Sequence, residues 1–254
     1  MNALVIAQNT FREIIRDRIL YGLVVFAVLM IGLSLALGGL SFTENGRIAL
    51  DFGLVGMQLS VVMLAIFAGS TLVSKEIEKQ TILTILSRPL SRTSFLVGKL
   101  IGMMSVVFVI LIGLTAILAL VLPFLEITMG PSFFKSIYGL FLEAFVLLCM
   151  TLFLGTMIRP FLTVACSVAF FLIGHWVSTL EFFAGRTDSK TFQLLSKLLM
   201  RSIPNLEVFN WREHALYQDG VSPQVLGHAT LFALGWGLIF MSLGVAVFRR
   251  RDFV

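Results

Sequence analysis

The sequence predicts an all-α membrane protein. It should have six transmembrane helices, both termini cytoplasmic, an amphipathic N-terminal helix, a cytoplasmic helix between the second and third spans, and an outer cap between the fifth and sixth. Three observations carry this prediction. Of 254 residues, 58% are hydrophobic and only 13% charged, and the mean hydropathy is +0.98; an average soluble domain holds roughly 25% charged residues. Stretches free of Asp, Glu, Lys and Arg occupy 19–43, 52–74, 100–125, 144–158, 160–180 and 221–248. Five of them cross a bilayer unaided, because about 20 helical residues at about 1.5 Å each span about 30 Å of hydrocarbon. The third observation is charge asymmetry. If the termini, the second loop and the fourth loop share one side, that side holds 12 basic and 5 acidic residues, and the other holds 7 basic and 9 acidic. The positive-inside rule then makes the first side cytoplasmic.

The chain reads as one transmembrane domain, 1–254. Ahead of the first span, the segment 3–18 forms an amphipathic helix: Phe11, Ile14, Ile15 and Ile19 share one face, and Arg12, Glu13, Arg16 and Asp17 the other. Thr10 with Glu13 fits a capping box, and the basic residues suit lipid headgroups, so this helix is expected on the inner membrane surface. The first span, 19–41, is too long for a cleaved signal sequence and is read as retained. The second span covers 52–74 and the third 97–122. The fourth, 137–158, reaches spanning length only with Glu143 inside it. That places Glu143 six residues, about 9 Å, into the span, where snorkelling towards the outer headgroups and lining of a polar path are both open readings. Arg159-Pro160 separates the fourth span from the fifth, 161–182, and predicts a tight hairpin. The sixth span is 224–248.

Between the fifth and sixth spans, 183–222 is the one long connection. Within it, "TFQLLSKLLMR" is amphipathic, with Phe192, Leu195, Leu198 and Leu199 opposite Gln193, Lys197 and Arg201. Pro204, Asn205, Asn210 and Pro223 supply turns, and Trp211 and Tyr217 favour an interface, so a compact cap on the outer membrane surface is expected.

Catalytic patterns do not emerge. His175, His214 and His228 stand in no HExxH or comparable spacing, which argues against a metalloenzyme or intramembrane hydrolase. His175 reads either as a hydrogen-bonded packing residue or as a relay or ligand. Cys149 and Cys166 read as two small buried hydrophobes rather than a disulfide or metal pair. Gly98-Lys99 imitates the end of a phosphate-binding loop, but Thr93 replaces its first glycine and Leu100 follows the lysine. The chain is therefore expected to bind no cofactor itself. Its basic balance follows from membrane topology and an anionic inner leaflet, not from nucleic acid.

The polar strip "KEIEKQTILTILSRPLSRTSFLVGK" between the second and third spans is the most informative segment. It reads as a short helix, 76–86, stopped at Pro89, followed by Ser91 as the cap of the next helix. A flexible linker would be richer in Gly and Ser. Glu78, Thr81, Leu86-Ser87, Pro89, Ser91-Arg92 and Gly98-Lys99 resemble the pattern after the second span of ABC transporter permeases of the ABC-2 type. The amphipathic "FREIIRDR", the six spans, "IPNLEVFNWRE" in the last outer loop and the basic "RRRDFV" extend the resemblance over the whole chain.

This resemblance implies a permease subunit of an ABC exporter in a bacterial or archaeal plasma membrane. The subunit would be encoded apart from its ATPase and pair with a second copy of itself and with ABC ATP-binding subunits that carry ATP and Mg. It also implies coupling through the segment 75–95, with Glu76, Glu78, Thr81, Ser87, Arg88 and Arg92 as contacts, and through Arg12, Glu13 and Arg16 of the N-terminal helix. Gln58, Ser60, Ser70, Glu143, Ser167, His175 and Ser178 are the candidate path residues, although helix packing accounts for each almost as well. Two other readings stay open. One is an ABC-driven module that passes ATPase motion to an outer-side partner at 183–222; the other is an ATP-independent secondary transporter, for which Glu143 is the nearest carboxylate to mid-membrane.

Overall fold

A computed structural model describes residues 3–40, 45–78, 91–125, 129–187, 189–217 and 219–250; at 39, 40, 45, 74–78, 125 and 181 it describes the backbone only. Among the described residues there is no strand. The helices are α1 (Ala3–Ile15), α2 (Arg18–Leu40), α3 (Asn45–Glu78), α4 (Arg92–Val121), α5 (Pro131–Met157), α6 (Pro160–Ala184), α7 (Lys190–Ser202), α8 (Arg212–Leu216) and α9 (Pro223–Arg250), with 3-10 turns at Leu122–Leu125 and Leu206–Phe209. Six of them, α2, α3, α4, α5, α6 and α9, are long and apolar enough to cross a membrane.

Burial separates these six into two classes. In their most apolar windows α3 and α5 are 61% and 67% buried, whereas α2 and α6 are each 22% buried. Helices α3 and α5 therefore form the centre, and α2, α4, α6 and α9 surround them with apolar side chains such as Leu29, Phe108, Leu172 and Leu238 exposed. Such a surface is stable in lipid, where apolar exposure costs nothing; between the helices, close packing does the work that water-driven burial does elsewhere. At the α3–α5 crossing a Cβ on Gly69 would lie 2.1 Å from Thr151 Oγ1. Thr151 in turn donates to Leu148 O at 3.0 Å on its own helix. Both residues are thus held to small size by the approach of the two central helices.

Helix α1 begins at Ala3, where the sequence reading begins its amphipathic helix, and ends at Ile15 rather than 18; Thr10 lies within it and cannot cap it. Its buried residues are Ile6, Ala7, Thr10 and Ile14, which pack on the start of α4, where Cβ atoms on Gly98 and Gly102 would meet Ala3 O at 2.7 Å and Ala7 O at 2.6 Å. The helix thus rests on protein along that face. Arg16 lies in the turn before α2, and Glu13 sits 3.5 Å from Lys99, which is 3% exposed.

The second central helix runs without interruption from Asn45 to Glu78, so the polar strip's first residues, Lys75 to Glu78, continue the second span. The rest of the strip up to residue 90, including Thr81, Ser87, Arg88 and Pro89, lies outside the described residues. Ser91 caps α4 as the sequence suggests: its side chain accepts a hydrogen bond from Ser94 N at 3.1 Å. Two residues separate α5 from α6 at Arg159. Cys149 is buried, but Cys166 is exposed on α6, correcting the expectation that both would be buried.

Candidate functional site

The fourth apolar helix starts earlier than the sequence reading allowed, at Pro131 rather than 137, with proline in the first turn where its missing N–H costs nothing. Glu143 consequently lies twelve residues in, about 18 Å along the axis, and is 1% exposed. The side chain is enclosed by the neighbouring helices. A charged carboxylate at such depth costs about 2.5–3.5 kcal/mol unless it is compensated. Two side chains from neighbouring helices compensate it. Gln58 on α3 donates from Nε2 to Glu143 Oε2 at 3.0 Å, with Oε1 at 3.3 Å. His175 on α6 brings Nε2 to 3.5 Å from Glu143 Oε1 and 3.3 Å from Gln58 Nε2, while its Nδ1 lies 3.2 Å from Phe171 O. The i−4 carbonyl and the Phe171 ring, 4.6 Å away between centroids, fix the imidazole orientation. Three of the candidate path residues, from three helices, therefore form one hydrogen-bonded cluster.

Above this cluster the cap is seated directly on the helices. A Cβ on Gly139, one turn before Glu143, would lie 2.3 Å from Phe209 O, and one on Gly174, next to His175, would lie 2.7 Å from Leu206 Cγ. Leu206 and Phe209, at the two ends of the 3-10 turn, are fully buried. Asn205 caps that turn by accepting from Glu207 N at 3.0 Å, and Ser136 of α5 donates to Trp211 O at 2.7 Å. Arg212 reaches Asp51 of α3 at 2.8 Å. Beneath the turn remains a cavity of about 10 Å³ lined by Leu54, Gln58, Ser136, Leu140, Phe209, Asn210, Trp211 and Arg212. It is large enough for roughly one water.

Comparison with known proteins decides the family. The model of the ABC-2 family transporter proteins matches residues 4–253, nearly the whole chain. The chain belongs to that family. No curated protein matches it. It is thus an integral membrane protein of the permease type, and ABC-2 permeases are in general non-catalytic membrane subunits that work with an ABC ATP-binding partner.

In this ABC-2 protein the remaining candidate path residues take separate places. Ser60 donates to Gly56 O at 2.8 Å and Ser70 to Phe67 O at 3.0 Å, both within α3. Ser167 is buried on α6, with no hydrogen bond found to its Oγ among the described residues. Ser178 accepts from Asn205 Nδ2 at 2.9 Å and so ties α6 to the cap.

At the opposite end, the side chains of Glu76 and Glu78 are outside the described residues, and Arg92 is engaged within the chain. It donates to Phe248 O at 2.5 Å and Arg249 O at 2.9 Å, satisfying carbonyls at the end of α9. Phe95 stacks on Phe248 at 5.8 Å, and Arg249 donates to Thr93 at 3.3 Å. The start of α4 and the end of α9 are therefore one packed unit. Sequence reading missed this brace, the Asp51–Arg212 pair and the seat of the 3-10 turn. The first two had a legible signal in oppositely placed charges and chain ends; the third had only two glycines among 21.

Proposed function

We propose that this chain is the membrane-spanning subunit of an ABC exporter, working as a pair of copies driven by two separate ATP-binding subunits that carry ATP and Mg. The observation that carries the reading is the family match over 4–253 together with six membrane-length helices in a chain whose sequence holds no complete phosphate-binding loop. Coupling is assigned to the strip 75–95, with Glu76, Glu78, Thr81, Ser87 and Arg88 against the ATPase, and to Arg12, Glu13 and Arg16 nearby. Helix α3 continues unbroken into the strip and α4 begins within its last residues, so motion applied there reaches α3 and α4 as rigid bodies. Arg92 extends this to α9, because it grips that helix's last carbonyls. The weakly buried α2 and α6 leave the apolar surface that a second copy needs, and the substrate path is assigned to that seam. The charge asymmetry supports cytoplasmic termini in a bacterial or archaeal plasma membrane.

A second reading, transmission of ATPase motion to an outer-side partner, is favoured by one observation. The cap is keyed into α5 and α6 through Gly139 and Gly174, and α7 carries Leu194, Leu195 and Leu198 exposed beside Lys197 and Arg201. Reconstitution with the ATP-binding subunit separates the two. ATP-driven loss of solute from the cytoplasm-equivalent side supports the exporter, and Glu78→Ala should lower that flux with insertion intact. ATP turnover that moves no solute but alters the cap's accessibility supports the second reading.

A further inference from the structure

The Gln58–Glu143–His175 cluster is too enclosed to hold a solute, and it carries one uncompensated negative charge unless a further proton is bound. The Gln58 amide has two hydrogens, and its Nε2 lies within reach of both Glu143 and His175 Nε2. With His175 Nδ1–H donated to Phe171 O, the 3.5 Å gap between Glu143 Oε1 and His175 Nε2 faces a carboxylate oxygen towards a ring lone pair. One proton in that gap, on either atom, completes the bond and makes the pair electrically neutral. Without it, a single negative charge stays buried among three helices, where water cannot screen it.

We propose that Glu143 and His175 form a proton-binding site, loaded from the cap end through the water-sized cavity at Gln58. Gln58 is the positioning residue, since it touches both partners and lines the cavity. The surrounding charges fit this assignment. From the cap, Glu207 sits in the turn that covers the pair, where its carboxylate accepts from Asn210 Nδ2 at 2.7 Å. From α3, Asp51 is matched by Arg212 of α8. Helix α4 meets α5 through Phe108 on Phe141, and α9 meets it through Gly237 under Phe145, neither of them charged. His228 on α9 is exposed, and the α7 residues Lys190, Lys197 and Arg201 are not buried.

The inference needs no ATP-binding subunit and stands or falls apart from the exporter reading. The test uses the full chain in lipid nanodiscs, with infrared difference spectra recorded between acid and alkaline buffer. The expected result is a carboxylic-acid carbonyl component that disappears as pH rises, is missing from the summed carboxyl signal of Glu143→Gln, and persists in Asp51→Asn and Glu207→Gln. In a His214→Asn/His228→Asn background, the ¹⁵N ring signals of His175 should change over the same pH interval. Wild-type and Glu143→Gln spectra that agree in the carboxylic-acid region at every pH, or a His175 ring that ignores the transition, would each overturn the proposal. The histidine signals decide the matter even if Glu143→Gln fails to fold.

Discussion

Replacing Gly139 by alanine tests whether the cap is keyed to the spanning helices. The new Cβ would stand 2.3 Å from the Phe209 carbonyl oxygen, where ordinary contact begins at 3.4 Å, an overlap of about 1.1 Å with backbone rather than with a movable side-chain tip. Overpacking of this kind costs about 1–3 kcal/mol. Glycine to alanine in a helix also returns up to about 1 kcal/mol of backbone preference. Gly113→Ala on α4 shares that gain, and its Cβ meets nothing within 4 Å. Subtracting the two variants leaves the overlap alone, about 1–3 kcal/mol, or roughly 5- to 150-fold in the open fraction of the cap. Amide hydrogen exchange over 203–211 reads that fraction, with total helicity as the control for folding. Gly139→Ala should exchange faster than Gly113→Ala by that factor. Equal protection in the two variants would refute the seating of the turn on α5.

Other outcomes follow from the same contacts. Arg92→Ala removes the donors to Phe248 O and Arg249 O, and hydrogen exchange at 246–250 should rise by the equivalent of about 1–3 kcal/mol while the centre of α3 is unchanged. Gly98→Val drives side-chain atoms into Ala3 O and Ile6; in a Cys166→Ser background, a cysteine introduced by Ile14→Cys, buried while residue 98 is glycine, should then react with a thiol reagent. Reversing either charge of the partly exposed Asp51–Arg212 pair should destabilise the cap by about 0.2–1 kcal/mol, and Asp51→Arg with Arg212→Asp should restore it in thermal unfolding.

Spanning helices were legible because lipid imposes one rule over about 20 residues, and the charge-free runs report it directly. Their ends were less so. Apolar periodicity cannot see that Pro131 opens a helix six residues before 137, and that single difference moves Glu143 from about 9 Å to about 18 Å along the helix. The cluster's members were among the polar residues marked by sequence, since each is costly in hydrocarbon. Their convergence was not legible, because Gln58 and Glu143 are 85 residues apart and meet only through the α3–α5 crossing. Thr10 misled within α1 for a related reason: followed by Glu13 it imitates a cap, yet it lies inside the helix and is buried against Gly102.

The central claim, a permease subunit driven by an ABC ATPase through the strip 75–95, is tested most directly by native mass spectrometry of the complex gently extracted from its own membrane. The account predicts two copies of this chain with two ABC ATP-binding subunits, and loss of those subunits when Glu78 and Arg88 are both replaced by alanine with the fold retained. Isolation of the intact, folded chain with no ATP-binding subunit under conditions that preserve other ABC complexes would contradict it.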